Sequence, residues 1–252
     1  MQRAMRRVLT ALACLSLCAP AHALTGNAPP ANGWSAQAIV MIVDPRGDLC
    51  TGTALARDLV LTAAHCVAKK RDNRVKIFQN GQTAGVQTFA LHPQFNAANY
   101  ARARATADLA LLKLAEPLPD VVVPATLAPS RPVVAGEQLV IAGFGVSTAG
   151  TPRGLGVPRA ATLIVTGKPG SLQVRLMDAA TRNVRAGLGA CTGDSGGPMF
   201  ELGGPTVLGV VSWSTAPNDE EGCGGLTGVT PLVLYRGWVE DTARKLGAPL
   251  GR

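Results

Sequence analysis

The chain has 252 residues, 47% hydrophobic and 16% charged, and its 24 Lys and Arg against 16 Asp and Glu give a net charge of +8. The basic residues form no dense run and no nucleic-acid motif, so nucleic acid is not an expected partner. Three histidines in the whole chain are too few to suggest a zinc site.

Residues 1–23 have the pattern of an export signal. Arg3, Arg6 and Arg7 open it, an apolar run covers 8–19, and Ala21-His22-Ala23 is a small-x-small cleavage site. The run is too short to span a bilayer with its flanks, and nothing later is long and apolar enough. A secreted or periplasmic protein is therefore expected, with no membrane attachment once the signal is removed, and the type of signal points to a bacterial source. Without its three arginines the remaining chain carries 21 basic against 16 acidic residues, a mild +5 that suits solubility. The 229 residues from 24 to 252 suffice for two small β units with well-formed cores.

In chain order, an arm at 24–36 is followed by short apolar strands. The first is expected at 38–43. Two more, at 51–55 and 59–62, flank the hairpin pair Arg57-Asp58. Strands at 75–78, 85–91 and 108–114 follow, with Asn80-Gly81 as a turn signal. Lys113 between Leu112 and Leu114 gives the alternation of a strand with one wet face. Pro117, Pro119, Pro124, Pro129 and Pro132 mark a linker, which divides the chain into units at about 24–128 and 129–252. Strands resume at 138–141, then Gly143-Phe144-Gly145, 161–165, 172–176 and 206–213. Leu234, Trp238, Val239, Ala243 and Leu246 recur at helical spacing, so a C-terminal helix is expected within 232–246. Short strands separated by turns make this an all-β chain.

The chemistry centres on Cys191 to Pro198, which reads CTGDSGGP. Glycine has no Cβ and lets the backbone turn tightly, so the N–H groups of Gly193 and Ser195 can be aimed at one point beside the Ser195 hydroxyl. A serine hydroxyl is a weak nucleophile and needs a base and an orienting acid. His65 in LTAAHC supplies the first and Asp108 in DLALLKL the second. These three motifs, in the order His, Asp, Ser, resemble the chymotrypsin/trypsin-like serine proteases, and the resemblance covers nearly all of the chain after residue 23.

The resemblance implies two antiparallel β-barrels of six strands with the site in the cleft between them. It implies that Ser195 attacks, His65 shuttles the proton, Asp108 orients His65, and Gly193 with Ser195 forms the oxyanion hole. Ser212, in VSW, is then the serine that supports the buried aspartate. Four cysteines outlast the signal and allow three pairings. The family's pairs are Cys50–Cys66 and Cys191–Cys223, each worth roughly 3–4 kcal/mol in the chain-entropy model. Cleavage before Leu24 would free an ammonium that pairs with Asp194, so that removal of the signal itself makes the active terminus. Gly189, six residues before Ser195, lies at the floor of the primary pocket, where no carboxylate is present to meet Arg or Lys. Ser214, after Trp213, forms one wall, and the opposite wall is expected near Gly228. A small or medium apolar residue before the cleaved bond is therefore expected. The acidic insertion at 215–222 either lies in solvent or brings Asp219, Glu220 or Glu221 to the pocket mouth. His92, in LHPQF, resembles a surface turn and has no assigned role.

The function expected is a serine endopeptidase acting on protein or peptide substrates as a monomer, with no metal or organic cofactor. Two alternatives stand beside it: a narrow-specificity esterase or processing hydrolase, and a catalytically silent binding protein on the same fold.

Overall fold

The structure is a computed structural model that describes residues 24–69, 72–167 and 172–251. The export signal expected at 1–23 lies outside the described residues.

A single-turn helix α1 (Gly33–Gln37) leads into the first barrel. Its strands are β1 (Ile39–Val43), β2 (Leu49–Ala56), β3 (Leu59–Thr62), β4 (Arg74–Lys76), β5 (Thr83–Leu91) and β6 (Ala110–Leu114). They close in the order β1-β2-β3-β6-β5-β4, with every pairing antiparallel. The Ile-Val-Met-Ile-Val sequence of β1 suits a strand because β-branched side chains pack well on a pleated surface. Arg57-Asp58 turns the chain between β2 and β3 as its sequence suggests, and Lys113 of β6 pairs with Asp58. Two further short helices, α2 (Ala64–Val67) and α3 (Ala97–Ala101), lie in the connections.

The second barrel is built from β8 (Gln138–Gly143), β9 (Arg159–Val165), β10 (Val174–Met177), β11 (Pro198–Glu201), β12 (Thr206–Ser214) and β13 (Leu226–Pro231). Their order is β11-β8-β9-β10-β13-β12, closed by the β11–β12 pairing, and a two-residue strand β7 (Thr126–Leu127) lies parallel to the start of β12. The period of two along β8 divides its residues between two apolar clusters. Leu139 and Ile141 face the core of the second barrel, whereas Val140 and Ala142 join the cluster that fills the first barrel and the seam between the two. β11 divides in the same way between Met199 and Phe200.

Each end of the described chain packs on the far barrel. Leu24 and Ala28 are buried in the core of the second barrel, with Thr25 bridging Gly189 and Pro30 bridging Arg159. At the other end a 3-10 turn (Leu232–Leu234) precedes α4 (Arg236–Lys245), whose Val239 and Ala243 are buried in the cluster of the first barrel. The expected helix therefore begins after Tyr235, and Leu234 is exposed because it belongs to the turn. His92 is buried rather than on the surface. Its ring meets Tyr235 at 4.7 Å and Trp238 at 4.9 Å, both edge-on, and burial lowers its pKa so that it packs as a neutral ring.

Val239 is fully buried where α4 meets the first barrel. Val239→Ala removes two buried carbon atoms and leaves a small void, so it should lower stability by about 2 kcal/mol. The midpoint of urea unfolding measures this directly.

Candidate active site

His65 sits in the single turn of α2, which follows β3 directly. The adjacent Cys66 is bonded to Cys50 of β2, tying that turn to the barrel wall. Asp108 lies two residues ahead of β6 and is fully buried. A buried carboxylate needs donors, and Asp108 has three. Its Oδ1 accepts the His65 backbone N–H at 2.9 Å. Its Oδ2 accepts His65 Nδ1–H at 2.7 Å and the Ser212 hydroxyl at 2.6 Å. With the Nδ1 proton held by a carboxylate, the lone pair of neutral His65 is on Nε2, the atom left for proton transfer.

Tyr100, on α3, covers the His65 ring. The two rings stack at 4.3 Å with an interplanar angle of 12°. The Tyr100 hydroxyl donates to the Ser212 carbonyl at 3.3 Å. Burial, and then the negative charge of Asp108, push the phenol above its usual range and keep it a donor. No motif announced Tyr100; it lies in a polar segment whose only local signal is Asn96, which caps α3 through Asn99 N–H.

The Ser195 loop leaves two amide groups unspent. Asp194, Gly196 and Gly197 donate their N–H groups to the carbonyls of Cys191, Val211 and Asp194 at 3.0, 2.7 and 2.9 Å. Gly193 and Ser195 N–H have no acceptor among the described residues, and neither does the Ser195 hydroxyl. Glycine is required at two points here. Gly193 has φ +97°, and a Cβ would lie 2.8 Å from Gly145 Cα; Gly196 has φ +85°, and a Cβ would lie 2.2 Å from the Thr51 carbonyl oxygen. The second disulfide, Cys191–Cys223, closes the base of this loop.

Asp194 turns inward and is fully buried. Its Oδ1 accepts Gly145 N–H and its Oδ2 accepts Cys191 N–H, each at 2.8 Å. Burial outweighs these two bonds and pushes its carboxyl up to about 7. The arm runs nearby: Thr25 N–H donates to Gly189 O at 3.0 Å, and the Thr25 hydroxyl donates to Gly187 O at 3.0 Å. Leu24, just before, is fully buried with φ +52°.

Of the residues expected to line the substrate pocket, Gly228 has a different place. Gly189 has close neighbours: a Cβ there would meet Gly224 Cα at 3.4 Å and the Thr227 hydroxyl at 3.5 Å. Thr227 is fully buried and accepts Ala190 N–H at 2.9 Å. Gly228, expected as the wall, instead lies under the Trp213 indole, where a Cβ would be 1.9 Å from Trp213 Cε2. The register pairs Trp213 with Gly228, and strand alternation then turns Thr227 to the other face. Trp213 Nε1 donates to Gln173 at 2.8 Å, and the Ser214 hydroxyl donates to Gly222 O at 3.1 Å. In the acidic insertion, Asp219 accepts the Asn183 amide at 2.9 Å and Asn218 N–H donates to Asn183 O at 2.9 Å; both residues have positive φ. Glu220 and Glu221 are exposed.

Among the described residues, Cys50, His65 and Cys66 are the one group of three potential ligands close enough to hold a metal ion. Both sulfurs are in the disulfide, so no thiolate is available to bind one.

A family model described as Trypsin matches residues 24–239. The chain is 26% identical over 215 residues to snake venom serine protease rhinocerase 4 of Bitis rhinoceros, a match that covers 81% of this chain and 82% of that one. It is 29% identical over 214 residues to kallikrein 1-related peptidase b22 of Mus musculus, covering 78% and 81%. Among solved structures, human heparin binding protein has a TM-score of 0.73 at 22% identity, over 90% of this chain and all of that one, which is a likeness of fold. These relatives are animal proteins and lend no support to the bacterial source expected from the signal. With a family model that spans nearly the whole chain after residue 23, and serine proteases similar to it along most of their length, the chain belongs to the trypsin family of serine proteases.

Proposed function

We propose that the chain is a secreted serine endopeptidase in which Ser195, His65 and Asp108 hydrolyse peptide bonds through an acyl-enzyme. Ser195 Oγ attacks the substrate carbonyl while His65 Nε2 takes its proton. The carbonyl oxygen becomes an oxyanion and accepts the N–H groups of Gly193 and Ser195. Asp108 holds the resulting imidazolium, and Nε2 then gives its proton to the leaving amine. Water, deprotonated by the same Nε2, releases the acyl group. The observation that carries this proposal is the pair of unspent N–H groups beside the Ser195 hydroxyl. Two disulfides support an oxidising, extracellular setting. No helix among the described residues is long and apolar enough to cross a membrane.

The pocket favours a small residue before the cleaved bond. Gly189 brings no charge, Thr227 and the Gly224 backbone occupy the space beside it, and Asp219 is engaged with Asn183. Peptides that differ only at that residue (Ala, Val, Leu, Phe or Arg) test both parts of the proposal. The chain beginning at Leu24 should turn over Ala best, and Ser195→Ala should turn over none. Thr227→Gly should raise the rate on Leu relative to Ala by about 10-fold or more, since each methylene accommodated is worth roughly 1–3 kcal/mol. Preference for Arg in the parent would overturn the pocket assignment but leave the mechanism.

Removal of the signal would also complete the site. While Leu24 is linked to Ala23 it has no charge, and its φ of +52° is one that branched residues rarely adopt. Cleavage removes the preceding carbonyl that makes such a φ costly and supplies an ammonium for the buried Asp194. A pH test follows. In the linked chain the folded state holds the Asp194 proton more tightly than the unfolded chain, with a pKa of about 7 against 3.8. That contribution to stability is full below about pH 4 and is lost as pH rises through about 7. Thermal melts between pH 4 and 7.5 should show an Asp194-dependent decline in a chain that retains Ala23, absent from its Asp194→Asn variant. The chain beginning at Leu24 should not show the decline, and equal slopes in both forms would contradict the pairing.

A further inference from the structure

We propose that Thr51, on β2 of the first barrel, is the positioning residue that holds the oxyanion donors in place, a role that rests on the hydrolytic function proposed above. A trans peptide unit points its N–H and its C=O in opposite directions. Four consecutive units run through the Ser195 loop. In the Thr192–Gly193 unit, Val146 N–H holds the Thr192 carbonyl at 2.8 Å, so Gly193 N–H faces the other way, into the site. In the Asp194–Ser195 unit, Gly197 N–H holds the Asp194 carbonyl at 2.9 Å, and Ser195 N–H faces the site likewise.

The other two units are held by Thr51. Its hydroxyl donates to Gly193 O at 2.9 Å, and its backbone N–H donates to Ser195 O at 2.8 Å. One residue thus grips the carbonyls that flank the nucleophile's own peptide unit. Its hydroxyl oxygen also accepts Phe144 N–H at 3.1 Å, next to Gly145, whose N–H holds Asp194. Its carbonyl accepts the Thr62 hydroxyl at 2.9 Å, three residues before His65. Thr51 is fully buried and every polar atom it has is used. Three of these four bonds cross from the first barrel to the second. The residue therefore links the barrel that carries His65 and Asp108 to the loop that carries Ser195, and the side-chain hydroxyl is the part a mutation can remove.

Thr51→Val keeps the shape and the backbone bond to Ser195 O, but leaves Gly193 O and Phe144 N–H without their partner. The Gly193–Asp194 unit then keeps only the bond of its Asp194 N–H to Cys191 O, and the units on either side, which carry the Gly193 and Ser195 N–H groups, lose part of their support. In the chain beginning at Leu24, kcat on an Ala peptide should fall by about 10- to 100-fold, up to the cost of a misplaced catalytic group and below that of a donor lost outright. KM should change little, and the pH profile of kcat should keep its midpoint because the His65–Asp108 pair is untouched. Thr51→Ser should retain most of the activity. If Thr51→Val does not fold, Thr51→Ser against Thr51→Ala isolates the hydroxyl. Amide hydrogen exchange of the segment 190–198 should quicken in the variant that lacks the hydroxyl and stay slow in Thr51→Ser. Parental kcat in Thr51→Val, equal losses in Thr51→Ser, or unchanged exchange would each overturn the assignment. A parent chain without turnover would sink the hydrolytic function, and the exchange rates would still decide whether Thr51 holds the loop.

Discussion

A peptide unit whose carbonyl is held has no choice about where its N–H points. The Ser195 loop applies that constraint repeatedly: between Gly193 and Gly196 the Asp194 and Gly196 N–H groups are spent on the protein, and those of Gly193 and Ser195 are left. Positive φ at Gly193 and Gly196 allows the chain to fold back tightly enough, and Asp194 turns inward between them. An inward Asp194 and an outward Ser195 follow from the same backbone path. The Asp194 carboxylate is bound to Gly145 and Cys191, so the loop, the Gly-Phe-Gly segment and the second disulfide form one unit.

The halves of the proposed catalytic machinery come from different barrels, and their alignment depends on how the barrels are strapped together. The arm at 24–31 lies with the second barrel and α4 lies on the first, so each end of the described chain crosses the seam. Ser212 crosses it as well, reaching Asp108 from β12 at 2.6 Å. Tyr100 closes the face of His65 and binds the carbonyl of the same Ser212. The imidazole is thereby fixed along its edge by Asp108 and across its face by an aromatic ring, and neither contact engages Nε2. Preorganisation of this kind lowers the reorganisation needed at the moment of proton transfer.

The residues proposed to do the chemistry were legible in the sequence because such roles tolerate few alternatives. A nucleophile with flanking glycines, a histidine beside a bridging cysteine and an acid opening an apolar strand stand out in CTGDSGGP, LTAAHC and DLALLKL. What depends on register was not legible. Thr227 and Gly228 differ by one place along β13, and strand alternation sends them to opposite faces. The eight residues at 215–222, with positive φ at Asn218 and Asp219, remove any means of counting that place from Trp213. β11 and β13 went unread because prolines and glycines interrupt their apolar patterns, although each is paired on both sides. Thr51 and Tyr100 carry no local signature; each matters through a partner more than 90 positions away.

The most direct test is covalent. A fluorophosphonate reacts with a serine only when a base takes its proton and a neighbouring site accepts the developing negative oxygen. Mass analysis of the labelled chain beginning at Leu24 should show one adduct, on Ser195, and none in His65→Ala. No adduct on a folded chain with both disulfides formed, or an adduct at a different serine, would contradict the proposal that this loop and His65 form a working hydrolase.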